Sequence, residues 1–190
     1  MKLAYTGTNL FPERSSVNAD LVEWKEQNDI DALIINGEMP GKIPEGKTVL
    51  INSVTQTLAE LGRPDWIRFN GWPGFSSLPC WEVAGTISEN ATKVFRSLDK
   101  KIIAVKDEPG LISARILSMI INEAFFALEE KISTEKEIDI AMKLGTNYPK
   151  GPFEWGEEIG YEKVYELLQK MAETDERYIP SRALKLICGK

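Results

Sequence analysis

The chain has 190 residues, 43% hydrophobic and 27% charged, a composition that supports one or two globular cores and excludes the disordered and fibrous classes. Asp and Glu total 29 against 23 Lys and Arg, a net charge of −6 with no basic cluster, so the footprint of a nucleic-acid partner is missing. There is no histidine, which removes Ser-His and Cys-His catalysis, a His-carboxylate dyad and any His-ligated metal from consideration.

Cys80 and Cys188 lie far apart without a C-x-x-C companion, against both a disulfide framework and a cysteine zinc site. No apolar run approaches the ~20 residues of a membrane span. Met1–Gly7 lacks the apolar stretch of a signal peptide. The expectation is a cytoplasmic protein with no membrane partner.

Along the first hundred residues, short β-rich runs alternate with amphipathic stretches. Lys2–Thr6 reads as a strand, and Asn18–Gln27, with Leu21, Val22 and Trp24 among charges, as a helix. Asp31–Ile35 is an apolar run closed by Asn36-Gly37, the pattern of a buried parallel strand. Thr48–Ile51 reads as the next strand and Thr55–Leu61 as a short helix stopped by Gly62 and Pro64. Trp66–Phe69, Cys80–Val83 and Lys101–Val105 are further strands, with a helix over Glu89–Leu98 before the last. This alternation argues for an α/β layer.

The pattern changes at Asp107. Leu111–Lys131 predicts one long helix, apolar on more than one stripe, that needs sister helices or another subunit around it. Helices follow at Ile138–Leu144, with an N-cap signal at Ser133-Thr134 and a stop at Gly145, then at Phe153–Ile159, Tyr161–Glu173 and Ser181–Ile187. Two domains are expected: an α/β domain over 1–106 and an all-helical one over 107–190.

In the second half, Asp107-Glu-Pro-Gly-Leu-Ile-Ser-Ala-Arg-Ile-Leu117, Asn122-Glu-Ala124, Ile138-Asp-Ile-Ala-Met-Lys-Leu-Gly145 and Gly151-Pro-Phe153 come in order. Together they resemble the C-terminal helical domain of the 3-hydroxyacyl-CoA dehydrogenases, with its D-x-P-G-F, N-R-(I/L)-L, N-E-A, I-D-x-A-M-x-x-G and G-P-F blocks. Locally, Pro109 suits a helix entrance. The resemblance implies a shortened Rossmann-like N-terminal domain followed by a helical domain that builds a homodimer interface and one wall of an acyl-CoA cleft. It also implies NAD as cofactor and a place in fatty-acid metabolism.

The family's first strand leads into G-x-G-x-x-G, whose glycines let the backbone approach a pyrophosphate at a helix N-terminus. Here only Gly7 remains; Asn9 and Pro12 stand at the other two glycine positions. Asp31–Ile35 already resembles a later strand of the family domain, so its middle is missing. Gly7, Thr8 and Asn52 are the cofactor-binding candidates that the resemblance leaves. Ile51-Asn-Ser-Val-Thr55 resembles the family's N-T-S segment, which puts the substrate-contacting serine at Ser53 or, by strict register, at Val54.

Trp66-Ile-Arg-Phe-Asn-Gly-Trp-Pro73 resembles G-x-H-F-F-N-P, so the family's catalytic histidine falls on Arg68 or Phe69. Trp81-Glu-Val83 resembles V-E-V and makes Glu82 the remnant of the catalytic dyad; with Ser53 it completes the catalytic candidates. Arg68 and Asn70 are the substrate-binding candidates, and Ala114 replaces the family's active-site asparagine.

Arginine does not serve as a general base, because its guanidinium stays protonated. Loss of normal dehydrogenase activity is therefore expected. An active oxidoreductase with a degenerate site and a pure assembly module are the rival readings. Plainer roles stand beside the candidates: an Arg68–Glu82 ion pair, Ser53 as a helix cap, Trp66, Trp72 and Trp81 as core, and Glu154, Glu157 and Glu158 as a solvated face rather than a metal site.

Overall fold

The computed structural model describes residues 1–11, 17–26 and 29–190, which form two compact units, Met1–Leu111 and Ile112–Lys190. The first holds one seven-stranded sheet: β1 (Lys2–Gly7), β2 (Asp20–Glu23), β3 (Ala32–Asn36), β4 (Thr48–Asn52), β5 (Ile67–Phe69), β6 (Cys80–Gly85) and β7 (Lys101–Ala104). The order is β2-β1-β3-β4-β5-β6-β7, parallel throughout except for β5 against β6. The chain steps from β1 outward to β2, then crosses back to β3 on the other side. That reversal makes the β1/β3 boundary the switch point of the sheet.

Alternation along β3 explains its unbroken apolar run. Ala32 and Ile34 enter one core with Leu3, Leu50 and Phe69, while Leu33 and Ile35 enter a second with Ala4, Val49 and Ile51. Helix α1 (Glu89–Ser97), capped by the Ser88 hydroxyl accepting from the Ala91 amide, covers the first core with Ala91, Val94 and Phe95. In that core Trp81 stacks on Phe69 at 4.5 Å and on Phe11 at 5.8 Å. The second core is roofed by Leu58, Leu61 and Trp66 from the 53–66 connection.

Two expected helices of this unit are not found. Within the Asn18–Gln27 segment the structure has strand β2; Gln27 itself lies outside the described residues, as does Pro12. Leu21 packs into the first core and Val22 and Trp24 against the second, an alternation of period two. Thr55–Leu61 is a run of turns in which Thr57 donates to the Glu60 carboxylate from both its amide (2.9 Å) and its hydroxyl (3.1 Å).

The second unit contains α2 (Ser113–Glu129), α3 (Glu135–Thr146), α4 (Pro152–Ile159), α5 (Tyr161–Ala172), a 3-10 turn (Glu176–Tyr178) and α6 (Arg182–Ile187). Helix α2 is central, in contact with α3, α4, α5 and α6. Its Phe125 meets Phe153 and Tyr161 edge-on, at 5.0 and 5.3 Å between centroids. Pro109 stands in the turn ahead of α2, not at its first residue.

The N-E-A block gains a mechanical meaning here. Buried Asn122 donates to the Ile179 carbonyl (3.0 Å) and accepts from the Ser181 amide (2.8 Å), pinning the segment that leads into α6. Ser181 in turn caps α6 by accepting from the Leu184 amide. Asn122→Ala strands a buried amide and a carbonyl, and is expected to cost roughly 2 kcal/mol in urea unfolding.

Helix α3 opens on a capping box between Thr134 and Glu137. The hydroxyls of Ser133 and Thr134 hold the Glu137 carboxyl below its ordinary pKa. These bonds favour the ionised form, so the capping contribution is present above the ordinary glutamate pKa and lost as pH falls through the lowered one. An NMR titration should place the midpoint of Glu137 below those of the freely solvated glutamates. At the other end, α3 runs through Gly145 to Thr146, and the left-handed residue is Asn147 (φ 57°), which corrects the expected stop at Gly145. A Cβ at Gly145 would meet nothing within 4 Å. Gly145→Ala is expected to stabilise the chain by roughly 0.5–1 kcal/mol, read as a raised melting temperature.

Candidate functional site

Ligands of open parallel sheets gather at the carboxyl ends of the strands. Gly7, Asn36 and Asn52 are the last residues of β1, β3 and β4, and Asn70 follows β5. The sequence candidates Gly7, Thr8, Asn52 and Asn70 thus share one sheet edge. Asn36 joins them; from sequence it stood out only as the end of a strand.

Hydrogen bonds run from strand end to strand end along this edge. The Asn36 amide group donates to the Thr8 carbonyl (2.8 Å), and the Asn36 side-chain oxygen accepts from Asn52 Nδ2 (2.8 Å). Asn52 Oδ1 in turn accepts from the Gly71 amide (2.9 Å). Asn70 is buried; its Oδ1 accepts from the Trp72 amide (3.1 Å), while its Nδ2 has no partner among the described residues.

Arg68 is the charged centre of the unit, and it is 0% exposed. Its Nε donates to Asp107, its Nη2 to the Glu108 carbonyl, and its Nη1 to the Ser53 carbonyl at 2.9 Å, with those of Val54 and Gln56 at 3.4 Å. Burial pushes the guanidinium pKa down, and the Asp107 carboxylate opposes that shift. Asp107 also accepts from the Leu58 amide (2.8 Å). From β5, Arg68 therefore ties the connection after β4 to the segment after β7.

Several expectations change on this geometry. The ion-pair partner of Arg68 is Asp107, where Glu82 was expected, and a guanidinium so enclosed presents no donors to an anionic substrate. Ser53 caps no helix, since turns follow it; its hydroxyl donates to the Gln56 carbonyl (2.7 Å). Glu82 is half-buried on β6, two residues from Ala84, the cross-strand partner of Arg68. Trp66, Trp72 and Trp81 keep the core role expected of them, at 3%, 5% and 2% exposed. Glu154 and Glu158 pair with Lys143 and Lys150. Among the described residues no cluster of three or more Cys, Asp or Glu side chains is arranged to hold a metal, and no helix is long and apolar enough to cross a membrane.

A dinucleotide does not fit the β1 turn as the resemblance implies. The Thr8 amide, the first beyond Gly7, is directed to the Asn36 carbonyl (3.3 Å), and the Phe11 amide to Asn9 Oδ1 (2.9 Å). Among the described residues between β1 and β2 none is helical. The Thr8 amide and the Asn52 side-chain amide are thus both engaged within the chain.

Residues 110–188 match the C-terminal domain family of 3-hydroxyacyl-CoA dehydrogenase. The chain is 40% identical over 88 residues to 3-hydroxyadipyl-CoA dehydrogenase of Escherichia coli, covering 45% of this chain and 18% of that one. It is 32% identical over 139 residues to 3-hydroxybutyryl-CoA dehydrogenase of Bradyrhizobium diazoefficiens, 67% of this chain and 47% of that one. It therefore spans less than half the length of either relative. Among solved structures, (S)-3-hydroxybutyryl-CoA dehydrogenase from Ralstonia eutropha shares the fold with a TM-score of 0.74 at 22% identity, over 90% of this chain and 70% of that one. The 3-hydroxybutyryl-CoA dehydrogenase from Escherichia coli superposes with a TM-score of 0.62 at 30% identity, over 73% of this chain and 31% of that one. With its shortened parallel sheet and its helical domain, the chain belongs to the 3-hydroxyacyl-CoA dehydrogenase family.

Proposed function

We propose that this protein binds acyl-CoA esters in fatty-acid metabolism without performing the hydride transfer of its relatives, and that it does so as a homodimer. The observation that carries this reading is Arg68, a permanently charged side chain at a position aligned with the family histidine and saturated by the chain's own acceptors. Removing a general base typically costs ~10²–10⁴ in rate. Phe69, the other alignment, is buried against Trp81 and has no proton to exchange. The acyl-CoA part rests on the relatives, which are named as dehydrogenases of 3-hydroxyadipyl-CoA and 3-hydroxybutyryl-CoA. Ile112 and Ile116 of the second unit, 45% and 53% exposed, support a covering second copy.

Calorimetry with acetoacetyl-CoA, beside an absorbance assay for NADH consumption, tests the reading. Saturable heat with the CoA ester and no NADH consumption is the expected result. Acetoacetyl-CoA reduction that disappears in Glu82→Gln would overturn it, and absence of any CoA-ester binding would leave only an assembly role.

A further inference from the structure

We infer that the switch point of the sheet is stitched shut by the side-chain amides of Asn36 and Asn52, a ladder that stabilises the strand ends by itself and leaves no dinucleotide site. The inference reaches beyond absent turnover, because a chain can bind a dinucleotide and leave it unreacted. Four strand ends meet here, and three hydrogen bonds from two asparagines span them: Asn36 to Thr8, Asn52 to Asn36, and Gly71 to Asn52. The backbones of β1 and β3 are in direct apposition, with a Cβ on Gly37 only 3.2 Å from the Gly7 Cα. The Thr8 amide closes the gap from the other direction by donating to the Asn36 carbonyl.

Diphosphate recognition at a strand-to-loop turn needs backbone amides pointing outward and a positive end of a helix. Both amides whose bonds are defined here, those of Thr8 and Phe11, point to acceptors within the chain. The next turn adds a carboxylate residue, Glu38, whose carbonyl takes the Thr6 hydroxyl at 3.5 Å. Each asparagine of the ladder uses both its donor and its acceptor on its neighbours. Opening the crevice for a ligand would break those bonds first.

The test combines thermal unfolding of the full chain with tryptophan-to-NADH energy transfer. The wild type is expected to show no saturable transfer and no rise in melting temperature with NADH or ADP-ribose at about 1 mM. Asn36→Ala and Asn52→Ala should each lower the melting temperature by about 2–4 °C. The double variant should lose less than the sum, because the two share a bond. Asn36→Asp keeps the acceptor for Asn52 but sets a carboxylate oxygen against the Thr8 carbonyl, and should lose at least as much as Asn36→Ala. Saturable NADH binding by the wild type, or additive alanine variants, would overturn the inference. NADH binding without acetoacetyl-CoA reduction would sink this inference and leave the proposed function standing, whereas reduction would sink that function as well.

Discussion

Asp107→Ala is expected to destabilise the protein by roughly 3–5 kcal/mol. The substitution leaves the Arg68 guanidinium fully buried with its counter-charge gone, and strands the Leu58 amide that shared the same carboxylate. Asp107 itself is 29% exposed, so water reaches the site partially and the lower end of the range applies if the turn relaxes. Arg68→Met should cost less, roughly 2–3 kcal/mol, because it removes the charge and leaves neutral carbonyls and a partly wet carboxylate. Combining the two should recover part of the loss of Asp107→Ala, since no unpaired charge remains. Urea unfolding followed by tryptophan fluorescence reads all three. A loss below 1 kcal/mol for Asp107→Ala would show that Arg68 is not held as described.

On the alignment that sets Arg68 at the family histidine, the same pair gives that position a structural role. A histidine must keep one nitrogen free to take a proton, so its surroundings have to leave an acceptor exposed. Arg68 has five N–H groups and no acceptor, and the chain surrounds it with a carboxylate and backbone carbonyls. Such a shell is unsuited to a proton-accepting ring. Arg68→His would therefore leave most of those acceptors without donors.

Much of the fold is legible in the sequence where one signal dominates. The apolar run before Asn36 reads as a buried strand because both faces of β3 are covered, and the helix expected over Glu89–Leu98 is found as α1. The four blocks after Asp107 place the helical unit. Strand β2 misleads because Leu21, Val22 and Trp24 lie among charges and fit both a helical stripe and a two-residue alternation, and only pairing with β1 decides between them. The Thr55–Leu61 turns mislead because the amide of Leu58 is claimed by a residue 49 positions away. The Arg68–Asp107 pair is invisible for the same reason, with the partners 39 positions apart and nothing local to mark Asp107 as more than part of a D-x-P-G block. The asparagine ladder hides likewise: Asn36 is an ordinary strand-end residue and Asn52 a cofactor candidate by resemblance until the parallel sheet sets their ends side by side.

Gly7→Ala is the second large effect, expected at roughly 3 kcal/mol or more. Gly7 has φ of 68°, a left-handed backbone that costs a residue with a Cβ about 1–2 kcal/mol. Its added methyl would also sit 2.1 Å from the Asn36 carbonyl oxygen and 2.8 Å from the carbonyl carbon, both backbone atoms that no side-chain rotation moves aside. Either β1 and β3 separate at their ends, or the Asn36 peptide tilts and breaks its bond from the Thr8 amide. In a dinucleotide-binding turn the bare glycine makes room for a phosphate; here the room is filled by the neighbouring strand. The two uses predict different ligand behaviour for the same variant. If Gly7 spaces the strands, Gly7→Ala lowers the melting temperature equally with and without NADH. If it spaces a ligand, the wild type gains stability with NADH and the variant loses that gain. Differential scanning calorimetry of both proteins, with and without the nucleotide, separates them, and parallel losses are the expected result.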